Sequence, residues 1–416
     1  MRTEQVARRI APRTQPAPVT PPRCLWLTLA DPEPRYNGQF LYSGGLIDAL
    51  AASGAEVEVL GLSRVESPRR DGDREDNIAW RLAESQVLSH WGSLRSALPH
   101  TAYRCATPGM YRKLDDLLAR DDWDGIVFDG ISVGWALGPV LRRFPDPRQR
   151  PRLIYVSHNH EESLRASIAD NQQRFLKRQA IRLDAYKVAR VERQLVDHVD
   201  LVTAITADDL DLYRRRRPDG AMTVLTPGYG GRRVPRRQIT NAVPRRAVII
   251  GSFDWIAKRM NLEEFVTAAD GLFAQAGAEL QVIGSAEESF LQSQRRRVKA
   301  TVFTGTVPEV TSYMDQARIA IVPERSGGGF KLKVLEYVFN RMPIFGLEGS
   351  VAGVPLRHGD SIMLYPDHDA LARGILAALD DLDLLNRLHE SAYAACRDVF
   401  DWSRRGRVLH EALSPR

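Results

Sequence analysis

Two successive series of short apolar runs, each alternating with helical stretches, constrain this 416-residue chain more than any other feature. In the first series RCLWLTLA (23–30) reads as a strand, FLYSGGLIDALAASG (40–54) as a helix and EVEVLGL (56–62) as the next strand. GIVFDG (125–130), RLIYVSHN (152–159) and LVTAIT (201–206) continue it. After Pro227-Gly228 the rhythm restarts with RAVIIGSF (246–253), LQVIGS (280–285), ATVFTG (300–305), IAIVP (319–323) and MPIFGL (342–347). Runs rich in β-branched residues between helices point to parallel strands covered on both faces. The expected fold class is α/β, with two doubly wound, Rossmann-like domains and a boundary near 228–245, where Gly, Pro and Arg cluster. Ligands of open α/β sheets sit off the carboxyl ends of the strands, so the cleft between the domains is the expected site.

Composition narrows the function classes. No apolar run approaches the length of a bilayer span. Residues 1–23 are rich in Arg and Pro and lack an apolar core, so they read as a disordered basic arm rather than a signal peptide. A cytoplasmic protein is expected. Cys24, Cys105 and Cys396 lie far apart and the nine histidines are scattered, which supports neither a disulfide framework nor a metal site. The formal charge of +6 is dense in RRRRPDG (214–220), GGRRVPRRQ (230–238) and SQRRRVK (293–299). A solvated surface is the plain reading, and no aromatic-and-basic RNA motif or recognition helix suggests a nucleic-acid partner. The segment 161–200, free of Pro and Gly, reads as a long helix. Phe175, Ile181, Tyr186 and Val188 give it a partial apolar face, with Lys177, Arg178, Arg182, Lys187, Arg190 and Arg193 elsewhere. Core packing accounts for that pattern, and peripheral contact with an anionic membrane is the alternative.

Two stretches carry chemistry. In SGGGFKLKVLEYVFNRMPIFG (326–346), glycines run into a helix whose first turn holds lysines. Cations there oppose the helix dipole unless an anion sits between them, and the N–H groups of Gly327, Gly328 and Gly329 can form an anion nest. Lys333 lies one turn before Glu336, so the two share a face. A surface Lys–Glu pair behind a flexible loop is the alternative, but three glycines at a strand-to-helix junction favour a phosphate-bearing ligand. YVSHNHEE (155–162) puts His158, Asn159, His160 and Glu161 at a strand's carboxyl end, facing the expected cleft. For His158 the alternative is a loop histidine bonded to backbone.

AIVPERSGGGFKLKVLEYVFNRMPIFG resembles the nucleotide-sugar motif P-x-R-x-G-x-G-x-x-x-K-x-L-E-(A/Y)-x-x-x-x-x-P-(V/I) of GT-B glycosyltransferases of the family 4 type. The resemblance extends over about 24–405. ALAASGAEVEVL (49–60) is similar to the family's first helix and strand, and Asn37-Gly38 stands where the family has a glycine doublet. TPGYG (226–230) resembles the interdomain P-N-G-V-D, and GSFDW (251–255) the opening loop of the second domain. FDWSRRGRVLHEAL (400–413) resembles a closing segment whose helix returns to the first domain.

The resemblance implies a metal-independent, retaining transfer of a sugar from a nucleotide-diphosphate donor to a glycan or lipid-linked acceptor, in polysaccharide or glycolipid synthesis, with no cofactor. It gives Glu336 the ribose hydroxyls, Lys333 the phosphates, and Gly327–Gly329 the donor sugar. Arg325, Phe330 and Ser252 are grouped with them as donor contacts. Gly38 would approach the phosphates and acceptor, Lys258 or Arg259 would supply further phosphate contacts, and His158, ahead of His160, would touch the donor sugar near the reacting carbon. The commoner pattern has a glutamate eight residues before Glu336. Gly328 stands there, as in a subgroup with a Gly-rich loop. The implied domains are 24–228 joined by 401–416, and 229–400. Rival readings are a nucleotide-sugar 2-epimerase of the same fold and a non-catalytic nucleotide-sugar or glycan binder. A dehydrogenase is disfavoured, because no G-x-G-x-x-G follows the first strand.

Overall fold

The computed structural model describes residues 20–413 apart from 87, 121, 171–174, 254–255 and 325–329. The first sheet comprises β1 (Arg23–Ala30), β2 (Glu56–Leu62), β3 (Arg74–Glu75), β4 (Ile78–Ala83), β5 (Gly125–Asp129), β6 (Arg152–Val156), β7 (Leu201–Ala204) and β8 (Met222–Val224). Its order is β3-β4-β2-β1-β5-β6-β7-β8, parallel except for the β3–β4 pair. The second sheet holds β9 (Arg246–Ile250), β10 (Glu279–Ile283), β11 (Thr301–Gly305), β12 (Ile319–Val322), β13 (Ile344–Leu347) and β14 (Met363–Tyr365). It runs β11-β10-β9-β12-β13-β14 and is parallel throughout.

Alternate residues of each central strand serve two separate cores. Leu25, Leu27, Ile126 and Phe128 pack on one face of the first sheet, and Cys24, Trp26, Val57 and Val127 on the other. Ala247 and Ile249 oppose Val248 and Ile250 in the same way in the second sheet. Burial on both faces explains why these strands read as unbroken apolar runs. β3, β4, β8 and β14 lie outside the sequence expectation: they are two or three residues long or, in β4, interrupted by Arg81. Asn37, in the place of a family glycine, caps the helix Gly38–Ala52 by accepting the Phe40 N–H at 2.9 Å.

The segment 161–200 corrects the sequence reading. It forms two helices, Glu161–Asp170 and Phe175–His198. They fold back on each other, with Arg193 paired to Glu162 and Glu192 accepting the N–H groups of Glu161 (3.0 Å) and Glu162 (2.8 Å). Lys187, expected on the polar side, is buried and donates to the carbonyls of Ser93 and Leu94, while Tyr186 is 68% exposed. Most arginines of the three runs are exposed, as expected, but some turn inward. Arg217 donates to the Val196 and Val199 carbonyls, and Arg237 to those of Met314 (2.8 Å) and Ala317 (2.7 Å). Such carbonyls at helix ends lack partners within their own helix. Among the described residues no helix is long and apolar enough to cross a membrane.

Two crossovers join the sheets. The Tyr229 N–H donates to the Phe400 carbonyl at 3.1 Å, Arg233 to the carbonyls of Arg397 (2.8 Å) and Phe400 (3.0 Å), and Arg405 to the Thr226 carbonyl at 2.9 Å. The Trp402 indole lies against Gly45 and Gly228, where a Cβ would sit 2.3 and 2.5 Å from it. From there the helix Trp402–Leu413 lies along Gly38–Ala52 and sends Leu409 and Leu413 into a core of the first sheet. At Gly406 a Cβ would fall 2.0 Å from the Ala49 carbonyl oxygen, and backbone cannot yield as a side-chain tip can. Gly406→Val should therefore separate the two helices and cost about 1–3 kcal/mol, lowering the thermal midpoint by several degrees in a calorimetric scan. Gly271→Ala, where a Cβ meets nothing within 4 Å, should leave the midpoint unchanged or raise it slightly.

Candidate active site in the interdomain cleft

The carboxyl ends of β1, β5 and β6 open onto a cleft of ≈280 Å³. Gly38, Tyr42, Ser132 and His158 line its first-domain wall, and Phe330 and Leu332 close it from the second. A larger groove of ≈840 Å³, lined by Glu263, Asp270, Gln294, Arg297 and Asp369, contains none of the sequence-predicted residues.

His158 stands two residues beyond β6. Its Nε2 lies 2.6 Å from Oδ1 of Asp129, the last residue of β5, and Asp129 also accepts from Trp26 Nε1 (3.1 Å) and Thr28 Oγ1 (2.9 Å). Burial works against charge on Asp129, but the imidazole and the neighbouring donors hold its carboxyl below the usual range. An ionised carboxylate only accepts, so His158 donates through Nε2 and keeps Nδ1 for other partners. The alternative of a loop histidine bonded to backbone is replaced by a carboxylate–imidazole pair. His160 has a structural part: its Nδ1 accepts the Ser163 N–H at 3.2 Å, at the start of the helix Glu161–Asp170.

Across the cleft the helix Leu332–Phe339 follows the glycine run of the sequence. Arg325, Gly327, Gly328 and Gly329 lie outside the described residues. The expected Lys333–Glu336 pair is corrected: Lys333 Nζ pairs with Glu324, two residues beyond β12. Burial opposes charge on Glu324, yet Lys333, with Lys331 behind it, holds the carboxyl below its ordinary range. Lys331 is shifted down by burial, against Glu324, and both Lys333 and Lys258 add to the shift. Lys333 and Lys331 thus flank one carboxylate where a helix begins, with Lys258 near Lys331. Glu336 takes different partners, Tyr229 Oη at 3.0 Å and Asn340 Nδ2 at 2.8 Å, and burial raises its carboxyl against both bonds.

The remaining expected residues divide. Lys258 is exposed near the foot of the helix Ile256–Ala276, and Arg259 pairs with Glu287 at 3.1 Å. The Ser252 hydroxyl accepts from Ser285 Oγ at 3.1 Å. Gly38 packs against Leu332, whose Cδ1 would lie 3.3 Å from an added Cβ, and Phe330 bridges the cores of both sheets. Sequence reasoning missed Asp129, Glu324, Tyr229 and Glu192. Acidic residues directly after the apolar runs GIVF and IAIVP were the available signal for the first two. Among the described residues no group of three or more His, Cys, Asp or Glu could hold a metal ion.

Two family models match the sequence: "Glycosyl transferase 4-like domain" over residues 37–229 and "Glycosyl transferases group 1" over residues 244–381. Together they span most of the chain, one for each sheet. The chain belongs to the group 1, 4-like GT-B glycosyltransferases. The transferase is similar to sucrose-phosphate synthase from Thermosynechococcus elongatus, with TM-score 0.68, 18% identity and coverage of 94% of this chain and 98% of that one. It is also similar to Anabaena HepE in complex with UDP and glucose (0.61, 12%, covering 94% and 99%). A third likeness is to WaaG, a glycosyltransferase involved in lipopolysaccharide biosynthesis (0.60, 15%, covering 94% and 99%). At these identities the likeness concerns the fold. No curated protein sequence matches the transferase.

Two expectations follow from the charges. Glu324 and Lys333 are about as buried as each other, so Lys333→Ala leaves the carboxylate stranded from its hydrogen-bonded cation, with Lys331 still nearby, and should cost about 1–3 kcal/mol in urea denaturation. Adding Glu324→Gln should recover much of that loss. Glu192 is pushed up by burial from 4.5 to about 7. Between those values the folded state keeps a proton that the unfolded chain has lost, so stability falls as pH rises through the window. Denaturation at pH 5, 6, 7 and 8 should show this decline in the wild type and a shallower one in Glu192→Gln.

Proposed function

We propose that the transferase moves a glycosyl group from a nucleotide-diphosphate sugar to an acceptor hydroxyl with retention of anomeric configuration and without a metal ion. The observation that carries this reading is the pairing of opposites across the cleft. The Asp129–His158 pair stands on one wall, and the lysine-rich foot of the helix Leu332–Phe339 stands beyond Leu332 on the other. In the reaction the bond from the anomeric carbon to the diphosphate breaks and a bond to the acceptor oxygen forms. The acceptor's proton leaves with the diphosphate. Negative charge grows on the leaving group, and fixed cations and N–H groups stabilise it.

Lys333 and Lys331 take the diphosphate, with Lys258 beside them, and Glu336 takes the ribose hydroxyls. His158 holds a hydroxyl of the donor sugar through Nδ1, Asp129 fixes its ring, and Gly38 brings backbone close to the reacting groups. Arg325, Phe330, Ser252 and the N–H groups of Gly327–Gly329 complete the donor contacts. The domains are 24–228 with 401–416, and 229–400. The acceptor is a glycan or lipid-linked glycan in polysaccharide or glycolipid assembly, handled in the cytoplasm. The name of WaaG supports that class, and the UDP and glucose held by HepE make UDP-sugars the first donors to try. Exposed Arg182 and Arg190 suit peripheral contact with anionic lipid, which salt should weaken.

The test combines calorimetric titration of UDP, GDP and ADP with transfer assays on the matching sugars. Glu336→Gln should weaken nucleoside diphosphate binding about tenfold to a hundredfold, the worth of charge-assisted hydrogen bonds. His158→Ala should bind the free diphosphate like wild type and turn over roughly a hundredfold more slowly, since its contact is to the sugar. The doubly substituted Lys333→Ala, Glu324→Gln protein avoids the stranded carboxylate and should lose more in turnover than in binding. Normal transfer by all three folded proteins would refute the assignment of roles.

A further inference from the structure

We propose that Tyr229, a residue of the interdomain linker, is a positioning residue for the donor's ribose, holding the plane of the Glu336 carboxylate from the far side of the cleft hinge. This rests on the reading of Glu336 as the ribose carboxylate. The two carboxylate oxygens have separate protein donors: Oε1 accepts Asn340 Nδ2 at 2.8 Å and Oε2 accepts Tyr229 Oη at 3.0 Å. Each oxygen has two lone pairs, so each retains an acceptor position. A ribose presents two adjacent hydroxyl donors. A carboxylate pinned at both oxygens is already oriented to meet them and does not lose rotational freedom when they arrive.

The two pinning groups differ in origin. Asn340 sits four residues after Glu336 and also donates to its carbonyl, so it moves with the helix. Tyr229 comes from 107 residues away. Its ring stacks on Phe339 (centroids 4.5 Å apart, planes 19° apart), and the Arg233 guanidinium lies 4.0 Å from the same Phe339 ring. Its N–H is bonded to Phe400 in the second crossover. The orientation of Glu336 therefore depends on the path of both interdomain strands. The Tyr229 hydroxyl also lies 3.0 Å from the Arg232 carbonyl, but it has one proton. With Glu336 ionised, a proton turned to Arg232 would leave lone pairs facing each other across the carboxylate contact. The charged acceptor takes the proton.

Tyr229→Phe keeps the ring on Phe339 and removes the hydroxyl. UDP, GDP, ADP and inorganic pyrophosphate, which has no ribose, are titrated into wild type, Tyr229→Phe, Glu336→Gln and the double variant. Tyr229→Phe should weaken the best-bound nucleoside diphosphate about tenfold and leave pyrophosphate affinity unchanged. The double variant should bind no more weakly than Glu336→Gln alone, because both changes act through one carboxylate. If Tyr229→Phe binds everything like wild type while Glu336→Gln is weakened, the role of Tyr229 is refuted and the ribose reading stands. If both bind like wild type, or wild type binds none of the three nucleotides, the ribose reading falls and this inference falls with it. Loss of pyrophosphate together with nucleotide, or additive losses in the double variant, would mark Tyr229 as a general support of the fold and overturn the proposal.

Discussion

Parallel strand pairing is the constraint from which the rest follows. Each central strand of both sheets points the same way as its neighbour, so every loop after a strand leaves from one edge. Asp129 at the end of β5, His158 after β6 and Glu324 after β12 all inherit their places from this directionality. Their partners do not come from sequence neighbours. Asp129 meets His158 because β5 and β6 pair in register, with Asp129 opposite Val156. Two sheets with their carboxyl edges facing each other give the cleft its two chemically different walls.

The charges of the cleft are managed rather than merely gathered. Asp129 is fully buried and stays ionised through a ring of donors, while Glu324 is buried beside lysines that would otherwise repel one another. Among the described residues the partners of Glu336 are neutral, and burial moves it the other way. Opposite shifts among carboxyls in one protein reflect which buried groups have a cation or several hydrogen-bond donors within reach. The carboxylate with neutral partners keeps acceptor positions on both oxygens, and the paired one balances the lysines.

Much of this architecture was legible in the chain. The alternating series specified two doubly wound sheets because their central strands are buried on both faces and so lack polar interruptions. β4 escaped notice because Arg81 breaks its run, and β14 because three half-buried residues make no pattern. The residues directly after the glycines, Phe330 and Leu332, and the HNHE stretch both border the cleft. Pairing did not follow from spacing: Lys333 and Glu336 share a helical face by periodicity, yet Lys333 reaches back nine residues to Glu324. Tyr229 and Glu336 are joined across 107 residues, and Asp129 and His158 across 29. No local signal encodes such contacts. Within the largely exposed arginine runs, Arg217 and Arg237 turn inward for a related reason, since whether an arginine meets water or a helix-end carbonyl is decided by tertiary placement.

The return of the helix Trp402–Leu413 to the first sheet has a consequence for how the protein is made. Leu409 and Leu413 complete a core whose other fully buried members precede residue 226, and Leu413 fills the space beside Gly125. The second sheet, by contrast, is built from one continuous stretch. During synthesis the helix emerges about 180 residues after β8. At ~5–20 residues per second that is a wait of roughly ten to thirty-five seconds. Through that interval the first sheet must hold an open apolar face on the ribosome, while the second domain, begun later, has all of its own strands in hand and can close first.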